Sequence, residues 1–235
     1  MTKAVVITGV NRGLGHALIE KLQESDMHII ALSRNFTREQ QAAQKEQQLH
    51  LITCDLSNAK DLRMAMNEVV RHITIADLDE LYFINNASTV EPIAEIGDLD
   101  PERVTAAVAV NLTAPILIAN ALCKLAQKRV THFTVVNIST GAANHPIRGL
   151  GLYCATKSGA AMFFDVLGQQ DVANKKVRVY QIDPGVMETR MQDELRGADE
   201  KRLPTRGYFI SVKENRMLKN PENVAAKILE EVTLR

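Results

Sequence analysis

The chain has no tryptophan, only three cysteines among 235 residues, and no excess of charge, with 28 basic and 28 acidic side chains. Without a net positive field it has nothing to draw it to nucleic acid or to an anionic membrane surface. Cys54, Cys123 and Cys154 are scattered and lack CxxC spacing. An odd, sparse set argues against a disulfide framework and suits a reducing cytoplasm. The six histidines show no HxxxH spacing, so no metal site is expected. The opening MTKAVVITGVNRGLG carries one short apolar run before a glycine-rich break. That run is too short for a signal peptide or a membrane span, so a soluble cytoplasmic protein is expected.

Hydrophobic residues make up 46% of the chain, enough to build a substantial core. Apolar runs of strand length alternate with longer stretches of helical period. The strands read as AVVIT (4–8), HIIALS (28–33), HLITC (50–54), LYFIN (81–85), FTVVNIS (133–139) and VRVYQI (177–182). Helices read as 13–23, 58–72, 101–126, a segment around Tyr153, and 221–232, which starts on Pro221. Continuous Val/Ile runs predict strands buried on both faces, hence a parallel sheet with helices on each side. No linker or repeat divides the chain. The reading is a single α/β Rossmann-type domain over 1–235, a doubly wound parallel sheet of about six strands. REQQAAQKEQQ (38–48) reads as a solvated helix or loop. The charged, irregular region 188–220 reads as a substrate flap or a surface loop.

The turn TGVNRGLG (8–15) lies between the first strand and the first helix. Glycines at 9, 13 and 15 allow a tight turn and close backbone approach to a pyrophosphate, which the amides of the helix N-terminus then face. A dinucleotide is the expected ligand. The second strand ends in Ser33 and Arg34, where an acidic residue would hold a ribose 2′-hydroxyl. A guanidinium suits a 2′-phosphate, and Arg12 in the turn adds a second positive charge, so NADPH is expected over NADH.

With these residues in place the chain resembles the short-chain dehydrogenase/reductase family over nearly its whole length. The matching pieces are TGVNRGLG, CDL (54–56), NNA (85–87), Asn111, Ser139, YCATK (153–157) and PGVMET (184–189), in that order. NISTGAANHPIRGLGLYCATKSG and DPGVMETRMQ look most like its sepiapterin reductase and benzil reductase branch, whose members reduce carbonyls and vicinal dicarbonyls with NADPH. The resemblance implies roles. Tyr153 is the acid, Lys157 its partner, Ser139 the group that holds the substrate carbonyl, and Asn111 the support of a proton relay. Gly9, Asn11, Arg12, Gly13, Leu14 and Gly15 surround the phosphates, with Thr189 near them. Asp55 and Leu56 sit by the adenine, and Asn86 and Ala87 line the adenine-side ribose and the cofactor path. Pro184, Gly185 and Val186 contact the nicotinamide. A homodimer or homotetramer, paired through the helices near 101–126 and 151–172, is implied as well. Two features depart from the pattern. Ser88 follows NNA where the family usually has glycine, and VTLR ends the chain directly after the last helix, where many relatives continue into another strand.

Carbonyl reduction needs donors for the developing oxyanion and a proton. A phenol of ordinary pKa, about 10, is a sluggish acid near neutrality. Lys157 at i+4 from Tyr153 projects from the same helix face, and a nearby ammonium favours phenolate. A small-molecule carbonyl, a vicinal diketone or a pterin side-chain ketone, is the expected substrate. A 3-oxoacyl reductase and a non-catalytic NADPH sensor are the alternatives. His145 lies on the loop between Ser139 and Tyr153 and is a candidate substrate contact. Met187 and Met191, after the Pro-Gly turn, read as an apolar wall or as core. Cys154 reads as packing.

Overall fold

The computed structural model describes residues 2–44, 48–76, 78–129, 132–172 and 175–234. The strands are β1 (Lys3–Thr8), β2 (His28–Ser33), β3 (Leu49–Thr53), β4 (Glu80–Asn85), β5 (His132–Ile138), a short antiparallel pair β6 (Asp171–Val172) and β7 (Lys175–Lys176), and β8 (Arg178–Ile182). Six of them form one parallel sheet in the order β3-β2-β1-β4-β5-β8. The helices are α1 (Gly13–Leu22), α2 (Arg38–Ala43), α3 (Ala59–Ile75), α4 (Pro101–Val108), α5 (Ala114–Arg129), α6 (Gly151–Leu167), α7 (Arg190–Gly197), α8 (Arg206–Glu214) and α9 (Pro221–Glu231).

The doubly wound sheet follows from strands that are apolar on both faces. In β1, Ala4 and Val6 face the core under α3, α5 and α6, while Val5 and Ile7 face the core under α1 and α9. This alternation holds because successive side chains of a strand point to opposite faces. Phe83 of β4 and Phe164 of α6 are fully buried with ring centroids 6.3 Å apart, which anchors α6 to the sheet. The chain winds outward from β1 through β2 to β3, then returns to start β4 on the other side of β1. That reversal opens a crevice at the carboxyl ends of β1 and β4, the usual ligand site of such sheets.

Capping marks where several helices begin. Asn58, Asp100 and Asn220 each accept backbone N–H groups with their side chains, and Pro follows at the first turn of α4 and α9. α2 begins with a reciprocal capping box between Thr37 and Gln40. Gln40 then donates from Nε2 to the Val10 carbonyl at 2.7 Å, which ties α2 to the glycine turn.

Two local features, the π turn within 101–126 and the helices within 188–220, differ from the sequence reading, and both have physical causes. The stretch 101–126 is not one regular helix: Ala109–Thr113 forms a π turn between α4 and α5, and Asn111 lies inside it. Residues 101–128 are apolar and long enough to cross a membrane by length and composition, yet Ile118, Ala119, Leu122 and Ala126 are fully buried on the sheet. The region 188–220 contains α7 and α8, whose Leu195 and Phe209 pack with Val90, Ile93, Leu150 and Leu203 in a separate apolar cluster. Of 38–48, residues 38–43 form α2, and 45–47 lie outside the described residues.

Candidate active site

The glycine turn is closed by contacts that only glycine permits at two points. Gly9 has a φ of +72°, and its Cα approaches Ala87 so closely that a Cβ would lie 2.9 Å from Ala87 Cα. A Cβ on Gly15 would be driven into the Gly9 carbonyl oxygen. Asn86 locks the turn, donating from Nδ2 to the carbonyls of Thr8 and Gly9 at 2.9 Å each. The Thr8 hydroxyl accepts from the amides of Asn86 and Ala87. α1 has no side-chain cap and no acidic residue in its first turn. Its open amides form an anion seat, in contrast to the capped starts of α3, α4 and α9.

A single cavity of about 1040 Å³ runs from this turn, across the carboxyl ends of the strands, to α7 and α8. Its lining includes every expected cofactor residue: Gly9, Asn11, Arg12, Gly13, Leu14, Gly15, Ser33, Arg34, Asp55, Leu56, Asn86, Ala87, Tyr153, Lys157, Pro184, Gly185, Val186 and Thr189. Ser139 lines it too. At the β2 end, burial raises the Asp55 carboxyl, but hydrogen bonds from Ser57 and the charge of Arg34 outweigh it and hold the group below its ordinary value. Arg34 thus stands exposed beside the cavity, at the position where a 2′-phosphate is expected. A glycine cradle, an uncapped helix start and an arginine at the β2 end fit a phosphorylated dinucleotide.

Tyr153 is half-buried on the cavity wall and packs against the α7–α8 cluster. Burial pushes its hydroxyl up to about 12. Hydrogen bonds with Thr140 and Ser88 pull it back in part, while Asp183 and Cys154 push it further up. It is therefore a neutral acid at pH 7. Lys157 is buried, and its Nζ donates to the Ile138 carbonyl at 2.5 Å. Burial lowers it to about 8, and Asp183 opposes that fall. The expectation that the ammonium depresses Tyr153 is not met in this arrangement, because the ammonium is turned to a backbone carbonyl and desolvation dominates the phenol.

The hydroxyl at the end of β5 that meets Tyr153 is that of Thr140, one residue past Ser139. Thr140 is extended, with φ −168° and ψ 154°, so it and Ser139 point to opposite sides of the chain. The Ser-Thr pair is the only signal for Thr140 in the sequence. Asn111 does not line the cavity. It is buried behind it, accepting from Thr89 N at 2.8 Å and from Ser88 Oγ at 3.1 Å, and donating to Thr89 O and Thr156 Oγ1. Asn111 therefore fastens the 88–89 loop to α6, the helix that carries Tyr153. His145, Met187 and Met191 line the cavity as expected, and Asp183, Glu91, Arg103, Tyr208 and Phe209 join them without a sequence signal.

The model of the short chain dehydrogenase family matches residues 3–200. The chain belongs to this family. A benzil reductase of Bacillus cereus that forms (S)-benzoin is 31% identical over 95% of this chain and 91% of its own. A sepiapterin reductase of Rattus norvegicus is 32% identical over 80% of this chain and 75% of its own. Among solved structures, the KRED1-Pglu enzyme superposes with a TM-score of 0.80 at 25% identity, over 95% of this chain and 92% of that one. As a short-chain dehydrogenase the protein is an oxidoreductase of a family that binds a nicotinamide cofactor.

Proposed function

We propose that the chain is an NADPH-dependent carbonyl reductase that converts a ketone, preferably a vicinal dicarbonyl, to the secondary alcohol. One observation carries the reading. A neutral phenol, Tyr153, lies with the strand-end Thr140 on the wall of the apolar end of a cavity whose other end is the glycine turn. Its relatives named for benzil and sepiapterin support the substrate class.

The amides at the start of α1 would hold the pyrophosphate, and Arg12, Ser33 and Arg34 the 2′-phosphate. Asp55 and Leu56 would border the adenine, and Pro184 to Val186 the nicotinamide. When bound, NADPH supplies the two electrons and one hydrogen that reduce the carbonyl carbon. Tyr153 gives its hydroxyl proton to the carbonyl oxygen, so that ketone, NADPH and a proton become alcohol and NADP⁺. Thr140, with Ser139 beside it, offers a hydroxyl to the same oxygen as its charge develops. Leu195, Phe209, Ile147 and Met191 form the apolar wall that keeps water from the reacting carbonyl.

Exposed Leu117 on α5 and exposed Met162 and Val166 on α6 support pairing of subunits through these two helices. The unpaired cysteines support a cytoplasmic setting. The test is loss of reduced-nicotinamide absorbance with NADPH or NADH against benzil, a short aliphatic diketone and sepiapterin. Turnover with NADPH is expected, with Thr140→Val more damaging than Ser139→Ala. Silence with every carbonyl despite NADPH binding rejects the reading.

A further inference from the structure

The apolar end of the cavity carries charges that carbonyl reduction does not use. Most are paired or turned away. Glu91 meets Arg103 at 2.6 Å and Glu194 meets Arg190 at 3.2 Å. Lys157 is buried, with Nζ turned to the Ile138 carbonyl. Asp183 differs: it is exposed, lines the cavity and makes no ion pair among the described residues. The sheet fixes where its carboxylate stands. Ile182 of β8 is in register with Ile138 of β5, and Ser139 N donates to the Ile182 carbonyl at 2.8 Å. Asp183 therefore follows β8 alongside the residues that follow β5, Ser139 to Gly141. Its Oδ1 accepts from Gly185 N at 2.9 Å, which fastens the carboxylate at the head of the Pro184–Val186 segment. Its Oδ2 accepts no hydrogen bond among the described residues and lies beside Gly141, where a Cβ would be 3.5 Å away.

We propose that Asp183 selects substrates by charge: it turns away carbonyl compounds with a carboxylate next to the reacting carbon, such as 2-oxo acids, and admits neutral and cationic ones. This rests on the reductase reading above. In that reading the carbonyl lies between the Ser139 and Thr140 hydroxyls and the Pro184–Val186 segment. Asp183 is the residue that joins those two borders, so a group attached to the carbonyl carbon comes close to its free oxygen. A carboxylate there meets a like charge in a cavity that sheds water, and a cation meets an opposite one. The cations nearby do not cancel this. Arg103 and Arg190 are already matched by carboxylates, and the Lys157 ammonium is turned into the protein. Arg12 and Arg34 stand at the other end of the cavity, by the glycine turn and β2.

The experiment measures kcat/KM with NADPH for three phenyl ketones of different charge: benzoylformate, its methyl ester and phenacyltrimethylammonium. Wild type is compared with Asp183→Asn, which keeps an oxygen for the Gly185 amide and removes the charge. Ratios between substrates within one protein cancel any shared effect on Tyr153 or on the nucleotide. Asp183→Asn is expected to raise the benzoylformate-to-ester ratio about tenfold and to lower the ammonium-to-ester ratio by a similar factor, the scale of a partly screened charge pair. Added salt should move both wild-type ratios in the same directions, a readout that does not depend on the variant. A merely structural role would lower all three rates together and leave the ratios alone. Ratios unchanged by Asp183→Asn, or wild-type ratios insensitive to salt, overturn the proposal. A wild type that oxidises no NADPH with the methyl ester or with benzil rejects the reductase reading itself, which distinguishes the two failures.

Discussion

Replacing Lys157 with methionine should make the nucleotide-free protein more stable while it loses activity. The side chain is buried, and its ordinary value of 10.5 falls to about 8. At about 1.4 kcal/mol per pH unit, keeping the ammonium protonated at pH 7 costs roughly 3 kcal/mol. Methionine removes that term and leaves the Ile138 carbonyl without its donor, a loss of about 1–2 kcal/mol. The net gain is about 1–2 kcal/mol, or some 2–8 °C in Tm for a chain of this size. The sign also sets the pH dependence. A lysine with a depressed folded value contributes stability that is complete above 10.5 and is lost as pH falls through about 8. The stability gap between Lys157→Met and wild type should therefore narrow as pH rises from 7 to 10. Thermal melts of both proteins across that range are the assay. A variant less stable than wild type at pH 7, or a gap that does not change with pH, refutes the reasoning.

Arg34→Glu should lower kcat/KM for NADPH by about tenfold to a hundredfold and shift preference toward NADH, read from steady-state kinetics with both nucleotides. Asn137 joins β4 to β8, accepting from Asn85 Nδ2 at 2.8 Å and donating to Gln181 Oε1 at 2.7 Å. Asn137→Ala leaves the buried Asn85 amide unmet, while exposed Gln181 turns to water, and should lower stability by about 1–3 kcal/mol in urea unfolding. His50 and His72 stack with ring centroids 3.9 Å apart. Burial first, then neighbouring positive groups (His72 and His28 for His50, Arg71 for His72), holds both below 6.5. Their contribution to stability is complete above 6.5 and is lost as pH falls through the folded values, so Tm should drop between pH 7.5 and 5.5 and His72→Phe should reduce that drop.

The sheet was legible because β1, β2, β4 and β5 are apolar on both faces, and no other arrangement buries both. The phosphate turn was legible because its glycines stand between a strand and a helix. The Tyr153–Lys157 pair was legible as a shared helix face, but i,i+4 spacing does not say where a flexible lysine points, and here it points to Ile138. Ser139 and Thr140 are alike as hydroxyls, and only the pleat of the strand decides which one meets Tyr153. α7 and α8 read as a charged flap because Leu195 and Phe209 have meaning only against Val90 and Leu150, far away in sequence. The π turn at Asn111 was equally hidden, since its side chain bonds to a loop more than twenty residues earlier.

The central claim is that Tyr153 is the acid of an NADPH-dependent reductase. The most direct measurement is NADPH oxidation with benzil by wild type and Tyr153→Phe, with NADPH binding followed for both. The account expects steady turnover by wild type, and a loss of about 10²–10⁴ in kcat for the variant with nucleotide binding retained. Turnover by Tyr153→Phe at the wild-type rate contradicts it.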